Sequence, residues 1–344
     1  MSEHINLADQ KLTIIIPSRN DRGFLVKLLT ELCKLPIACL ELLIIDSSDA
    51  AESLPYDLDA SLRQKFYQVN HVFSDASSPG KSRNEGISLA QGDWLAFLDT
   101  KTIPNLLWVD LCKETLGSDQ MHGIWGKTRY LGNSRYANII IASTYGFNEL
   151  ITVPGMIIKK EKFFQVGNFL PNLLAGEDTD WMLRLQQHNF SLNHPASKTI
   201  DYHGIAELSL LKIIKKWYQN YRACRSIDHL KDHRIIYLVF FNIIAFLIVF
   251  NWNATFADWN TESKFFIPNI SKITAVTIFL TYFFFRSIGL PLLRGCSLKF
   301  LFSGNLFFIF GLSIIIDCIK FIAFLPSTTS IKQSFLKVLH RAQI

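Results

Sequence analysis

Three short apolar runs, Leu12–Ile16, Leu42–Ile45 and Trp94–Leu98, each lead into a polar cluster: Ser18-Arg19-Asn20, Asp46-Ser47-Ser48 and Asp99-Thr100-Lys101. Runs of this length, bounded by turn-forming residues, read as buried strands. Stretches of helical spacing lie among them, Phe24 to Leu35, which Pro36 ends, and Ser82 to Ala90. Lys65–Phe73 supplies a further strand. Strands alternating with helices predict βαβ units and an α/β domain on a mainly parallel sheet. Such sheets bind ligands beyond the carboxyl ends of their strands. One polar strand end is an ordinary turn, but three on one edge predict a site.

Composition changes along the chain of 344 residues. Up to about Tyr202 charges are spread among short apolar runs, whereas from Ile235 onward Phe, Ile and Leu dominate. The formal charge of +6 is modest, and no basic stripe interleaved with aromatics points to nucleic acid. The six cysteines are scattered without a C-x-x-C pair, as expected of reduced thiols. Met1 to Gln10 is polar and has no signal-peptide core, so the soluble part is expected in the cytoplasm.

Four segments, in order, carry a more specific pattern. They are Leu12-Thr13-Ile14-Ile15-Ile16-Pro17-Ser18-Arg19-Asn20, Ile44-Ile45-Asp46-Ser47-Ser48, Pro79 to Gly86 running on to Gly92–Asp99, and Gly176-Glu177-Asp178-Thr179-Asp180-Trp181. Over about 200 residues this ordered set resembles the inverting family 2 glycosyltransferases with the GT-A fold: P-[ST]-x-N, V-D-x-x-S, G-x-x-x-R-N-x-G, D-x-D and E-D. The resemblance implies a nucleotide-sugar site. Pro17, Ser18, Arg19 and Asn20 lie along base and ribose, and Asp46 accepts from a uracil-like edge. Lys81 and Arg83, near a helix start, face the diphosphate. Asp99 faces the ribose and a diphosphate-bound Mg2+ or Mn2+.

The second acid of D-x-D is here Lys101, which removes an oxygen ligand and adds repulsion. Two readings stay open: Asp99, His203 and the diphosphate hold the metal, or Lys101 itself neutralises the leaving diphosphate. In the E-D pair, Asp178 is expected to take the proton of the acceptor oxygen, with Glu177 orienting it. Asp180 is expected to be structural, complementing the helix dipole. Trp125, Tyr130 and Tyr136 are candidate sugar platforms, although core aromatics are commoner.

Glu207 to Arg234 carries Lys212, Lys215, Lys216, Arg222, Arg225, Lys231 and Arg234, with Leu208, Leu211, Ile214, Trp217, Tyr218 and Tyr221 recurring three or four apart. That is a basic amphipathic helix suited to an anionic headgroup layer. Lys216-Trp217 lacks the Gln and Arg of the Q-x-x-R-W motif of processive members. Three apolar runs follow, Ile235–Trp252, Ile273–Leu293 and Leu306–Leu325, each near the roughly 20 residues that cross a bilayer. Arg286 and Asp317 are expected to pair between helices, or Arg286 or Lys320 to meet a lipid phosphate. Three full spans place the basic tail (Lys332, Lys337, Arg341) outside, against the positive-inside tendency, so two to three spans stay open.

The expected organisation is a GT-A catalytic domain over 1–205, an interfacial helix over 206–234 and a membrane region over 235–344. The expected activity is inverting transfer from a nucleotide sugar, UDP-linked, to a lipid-linked or polyprenyl-phosphate acceptor at the cytoplasmic membrane face. The alternatives are an idle nucleotide-sugar-binding scaffold and a small processive polysaccharide synthase.

Overall fold

The computed structural model describes residues 12–37, 41–50, 52–205, 208–224, 227 and 251–324. β1 (Leu12–Ser18), α1 (Arg22–Lys34), β2 (Glu41–Asp46), α2 (Tyr56–Lys65), β3 (Gln68–Phe73), α3 (Pro79–Leu89) and β4 (Trp94–Phe97) form the first half. β5 (Thr102–Pro104), α4 (Leu106–Leu116), β6 (Gly123–Tyr130), α5 (Arg135–Ser143), β7 (Leu150–Lys159), α6 (Lys160–Val166), α7 (Glu177–Gln186), β8 (Leu192–Asn193) and β9 (Ile200–Tyr202) complete the sheet domain.

The strands lie in the order β3-β2-β1-β4-β7-β6-β9-β5, with β8 beside β6. β3, β2, β1 and β4 are parallel, in line with the βαβ reading. Beyond β4 the sheet is mixed. β7 runs antiparallel to both β4 and β6, because α5 returns the chain alongside β6 rather than crossing over the sheet.

α1 turns Leu25, Leu28, Leu29 and Leu32 to one face of the sheet, where they join Trp108 and Val109 of α4. The other face is covered by Ile87 of α3, Phe163 of α6, and Trp181 and Leu185 of α7. α3 starts with Pro79 at N1 and Ser78 accepting from the Lys81 amide at 3.2 Å, a standard N-cap. Gly86 lets α3 lie against the sheet, since a Cβ there would stand 2.5 Å from Ile15 Cγ2.

α8 (Leu210–Cys224) is the described part of the expected interfacial helix; Arg225, Lys231 and Arg234 lie outside the described residues. The first apolar run lies outside them too, apart from its end at α9 (Trp252–Phe256). α10 (Ile270–Phe284) passes through a π-helical turn, Phe285–Gly289, into α11 (Leu290–Leu293). α12 (Leu298–Phe300), the turn Leu301–Asn305 and α13 (Leu306–Phe324) follow. Ile270–Leu293 and Leu298–Phe324, 24 and 27 residues, are long and apolar enough to cross a membrane. Arg286 Nε stands 2.8 Å from Asp317 Oδ2, so the expected interhelical pair is present.

Candidate active site

The carboxyl ends of β1 and β2 are tied together first. Asn20 sits in the left-handed region at φ 54°, which asparagine tolerates better than most residues. There its amide donates to Ser48 Oγ at 2.7 Å, and its side chain pairs with Asp49 through two bonds of 3.0 Å. Ser47 N donates to the Ser18 carbonyl at 2.8 Å. Arg19 reaches the Ser77 carbonyl at 2.9 Å. Asp46 is buried, and Oδ1 accepts from Ser48 N at 3.1 Å and Ser48 Oγ at 2.6 Å. Its Oδ2 faces His71 Nε2 at 3.2 Å. Nothing in the sequence pattern singled out His71, which reaches Asp46 only because β3 pairs with β2 in register.

Arg83 forms the centre of the site. Its guanidinium, 3% exposed, donates from Nη1 to Glu177 Oε1 at 2.7 Å and from Nη2 to Asp99 Oδ1 at 2.8 Å. Its Cζ lies over the Phe169 ring, 5.5 Å from the centroid. Burial opposes the charge, but Asp99, Glu177 and Asp178 outweigh it and hold Arg83 above its ordinary pKa. The resemblance implies that Arg83 faces the diphosphate; in the structure two carboxylates bind it, and it links the end of β4 to the start of α7.

Lys101 also has a partner. Its ammonium lies 2.8 Å from Asp21 and 5.3 Å from the Phe24 ring centroid. Lysine at the second D-x-D position thus meets a carboxylate from the β1–α1 turn, which sequence spacing did not reveal. Lys81 is half-exposed and stands 3.3 Å from the fully solvated Asp75.

α7 begins at Gly176, whose φ of +86° favours glycine. Trp181 is wholly buried and donates to the Gly167 carbonyl at 2.7 Å. Arg184 binds the carbonyls of Val166 and Asn168, each at 2.8 Å, and Asp180 at 2.9 Å, so Asp180 is placed structurally. Asn84 exchanges two bonds with the Phe169 backbone, 2.8 and 3.0 Å. The 167–171 loop therefore locks α3 to α7 and holds Arg83 against Glu177. Burial pushes the Glu177 carboxyl up, Arg83 opposes this, and neighbouring Asp178 adds to the rise. Asp178 itself is half-buried; among the described residues its bonds are to Thr179, 2.7 Å from that amide. It is the carboxylate here that no cation holds by an ion pair among the described residues.

A divalent cation does not fit the residues present. Among the described residues no group of three His, Cys, Asp or Glu side chains is placed to hold one. Asp99 Oδ1 is spent on Arg83, and Lys101 adds a positive charge. His203 donates its amide to the Lys101 carbonyl at 2.9 Å, but its ring is surrounded differently. Burial lowers its pKa, as do Lys27 and Lys198, while Asp201 and Glu31 oppose them.

A family model described as glycosyl transferase family 2 matches residues 13–139, the stretch from β1 into α5. Residues 13–139 are similar to the family 2 glycosyltransferases. No curated protein sequence matches the chain. Among solved structures, it is similar to S. aureus TarS at 16% identity and TM-score 0.41, over 63% of this chain and 40% of that one. TarS 1-349 in complex with UDP aligns at 14% identity and TM-score 0.44, covering 88% and 90% of the two chains. The mannosyltransferase PcManGT from Pyrobaculum calidifontis, in complex with GDP-Man and Mn2+, aligns at 10% identity and TM-score 0.46, covering 90% and 87%.

One wall of the site is aromatic. Tyr130 stacks on Tyr145 at 4.1 Å and leans on Tyr202 at 4.9 Å. Trp217 of α8 packs 5.6 Å from Tyr145, and the Lys216 ammonium lies over Tyr145 at 5.4 Å. Burial raises the Tyr130 pKa, as do Tyr145, Tyr202, Asp178 and Asp99, so this wall adjoins both acids. Of the expected sugar platforms, Trp125 is a core residue, Tyr136 is exposed, and Tyr130 belongs to this wall. Tyr145 and Tyr202 carried no sequence signal, since tyrosines outside a motif look like core.

Proposed function

We propose that this chain transfers a sugar, with inversion, from a nucleotide sugar to a lipid-linked acceptor at the membrane surface. The observation that carries this reading is the Asp99–Arg83–Glu177 array at the sheet's carboxyl edge, with Asp178 beside it and bound by no cation among the described residues. Arg83 and Glu177 fix the first turn of α7 and so position Asp178. As the acceptor oxygen attacks the anomeric carbon, Asp178 takes its proton where that oxygen is a hydroxyl, and positions it where it is an already ionised phosphate. The bond from the anomeric carbon to the diphosphate breaks, and the diphosphate leaves with the electron pair. Lys101 and Lys81 are the cations near its path, and Lys101 must exchange Asp21 for it. A positioned base of this kind supplies about 10²–10⁴ in rate.

The nucleotide lies along Pro17, Ser18, Arg19 and Asn20, with Asp46, backed by His71, facing a uracil-type base. The acceptor approaches along the Tyr130, Tyr145 and Trp217 wall, which continues into α8 and the apolar helices, and this favours a polyprenyl-phosphate or similar lipid. The catalytic domain (1–205), interfacial helix (206–234) and membrane region (235–344) then act at the cytoplasmic face. The test is release of nucleotide diphosphate from a panel of nucleotide sugars with native lipid extract. Release is expected from the wild type, at least 100-fold less from Asp178→Asn, and to persist in EDTA. Tight nucleotide binding without release from any donor would favour an idle scaffold instead.

A further inference from the structure

Leu298–Phe324 is apolar enough to cross a membrane, yet it is held at both ends, by the catalytic domain near its start and by α8 at its finish. Near its start, Arg135 of α5 donates to Asn305 Oδ1 at 2.7 Å and to the Gly304 carbonyl at 3.0 Å. The helix is broken there: Ser303 and Gly304 leave helical geometry, Gly304 with φ 81°. At the other end, Tyr221 of α8 packs 5.8 Å from Phe324 and 5.0 Å from the Lys320 ammonium. Between these points Ile309, Leu312 and Ile316 are buried with Ile139, Ile140 and Ile141 of α5 and Ile213 of α8. The unbroken part, α13, has 19 residues. At about 1.5 Å per residue it nearly matches the roughly 30 Å hydrocarbon core. Fastened to α5 and α8 along that whole length, it cannot stand across the core unless α8, with exposed Lys212 and Lys215, enters too.

Ile270–Leu293 is held differently. Among the described residues its C-terminal end meets the domain, where Asn148 donates to the Leu293 carbonyl at 2.9 Å and Phe147 to the Arg294 carbonyl at 2.7 Å. The rest leaves Ile273, Val276, Phe279 and Phe284 each more than half exposed.

We propose that, of the two, only Ile270–Leu293 crosses the bilayer, while Leu298–Phe324 lies along the catalytic domain within the near leaflet. Acyl chains of that leaflet cover Phe302, Phe307, Phe308 and Ile322, which are exposed, and Lys212 and Lys215 meet its anionic headgroups. This rests on the membrane reading above. Ile270 then emerges on the face opposite the catalytic domain. Phe324 lies on the catalytic side, and the sequence beyond it carries Lys332, Lys337 and Arg341, which the positive-inside tendency favours there.

The test uses the full chain in sealed membrane vesicles of both orientations, with epitopes at the N-terminus, after Thr261 and at the C-terminus. External protease should remove the N- and C-terminal epitopes from the same vesicles, and the Thr261 epitope only from the opposite set. A C-terminal epitope that shares its side with Thr261 would overturn the proposal, as would all three on one side. If the insertion blocks expression, extra labelling of Thr261→Cys over wild type by an impermeant maleimide gives the same reading. Release of the protein by alkaline carbonate is a separate outcome: it would sink the membrane reading itself, and this topology with it.

Discussion

An ammonium in place of the Arg83 guanidinium keeps the charge but cannot hold Asp99 and Glu177 through two fixed donors, as Arg83 does at 2.8 and 2.7 Å. Losing one charge-assisted bond costs about 1.5–3 kcal/mol. Arg83→Lys is therefore expected to slow donor turnover about 10- to 100-fold with unchanged circular dichroism. The pH response follows from Glu177, whose carboxyl burial pushes up. A carboxyl group raised on folding is favoured in its neutral form. Its contribution to stability is full below the ordinary carboxylate range and is lost as pH rises through the raised pKa. Activity has the opposite sign, because protonation releases Arg83 and unfastens the start of α7. The acidic limb of kcat/KM should therefore lie above the ordinary carboxylate range, and Glu177→Gln should flatten it; an unmoved limb would separate Glu177 from catalysis. Lys101→Asp restores the second D-x-D acid and removes the cation paired with Asp21. This variant should gain a dependence on Mn2+, read as turnover before and after EDTA, that the wild type lacks.

Clamping between elements makes a contrast between two glycines informative. A Cβ at Gly80 would lie 2.5 Å from the Leu170 carbonyl oxygen and 3.2 Å from Glu177 Cγ, where α3 meets the loop before α7. At Gly23 in α1 nothing lies within 4 Å. Gly80→Ala is expected to cost about 1–3 kcal/mol through overpacking. Gly23→Ala should gain about 0.5–1 kcal/mol from helix propensity. Thermal unfolding separates the two, and equal shifts would mean that α3 and α7 are not closely apposed. The same contrast shows what was legible beforehand. β1, β2, β4, α1 and α3 could be read from sequence because their apolar spacing is local, and Glu177-Asp178 because it opens a helix. β7 beside β4, His71 beside Asp46 and Asp21 beside Lys101 depend on strand order and loop return, which no local spacing encodes. Arg83 was visible as a site residue, but its two carboxylate partners lie 16 and 94 positions away.

At the scale of the molecule, one polar cluster joins the two apolar helices. Asp317 of α13 accepts from Tyr282 at 2.8 Å, lies 2.8 Å from Arg286 Nε and stands 3.3 Å from Lys320. Phe279 and Phe283 of α10 pack against Phe310 at 5.7 and 4.8 Å, so the cluster is enclosed by apolar rings. α13 in turn is fastened to α5 and α8, and through them α10 is positioned over the catalytic domain. Asp317→Asn would leave the Arg286 guanidinium, 5% exposed, facing no carboxylate among the described residues. Breaking a buried pair from one side costs about 3–5 kcal/mol, whereas replacing both partners by apolar residues is often neutral. Asp317→Asn should therefore unfold early in detergent, while Arg286→Leu combined with Asp317→Leu should recover most of the loss. Turnover per folded molecule should stay near wild type in both, since neither residue belongs to the Asp99–Arg83–Glu177 array. If the single and double variants were equally unstable, Arg286 would not be what makes Asp317 necessary, and the rings around Phe310 would have to hold the two helices together.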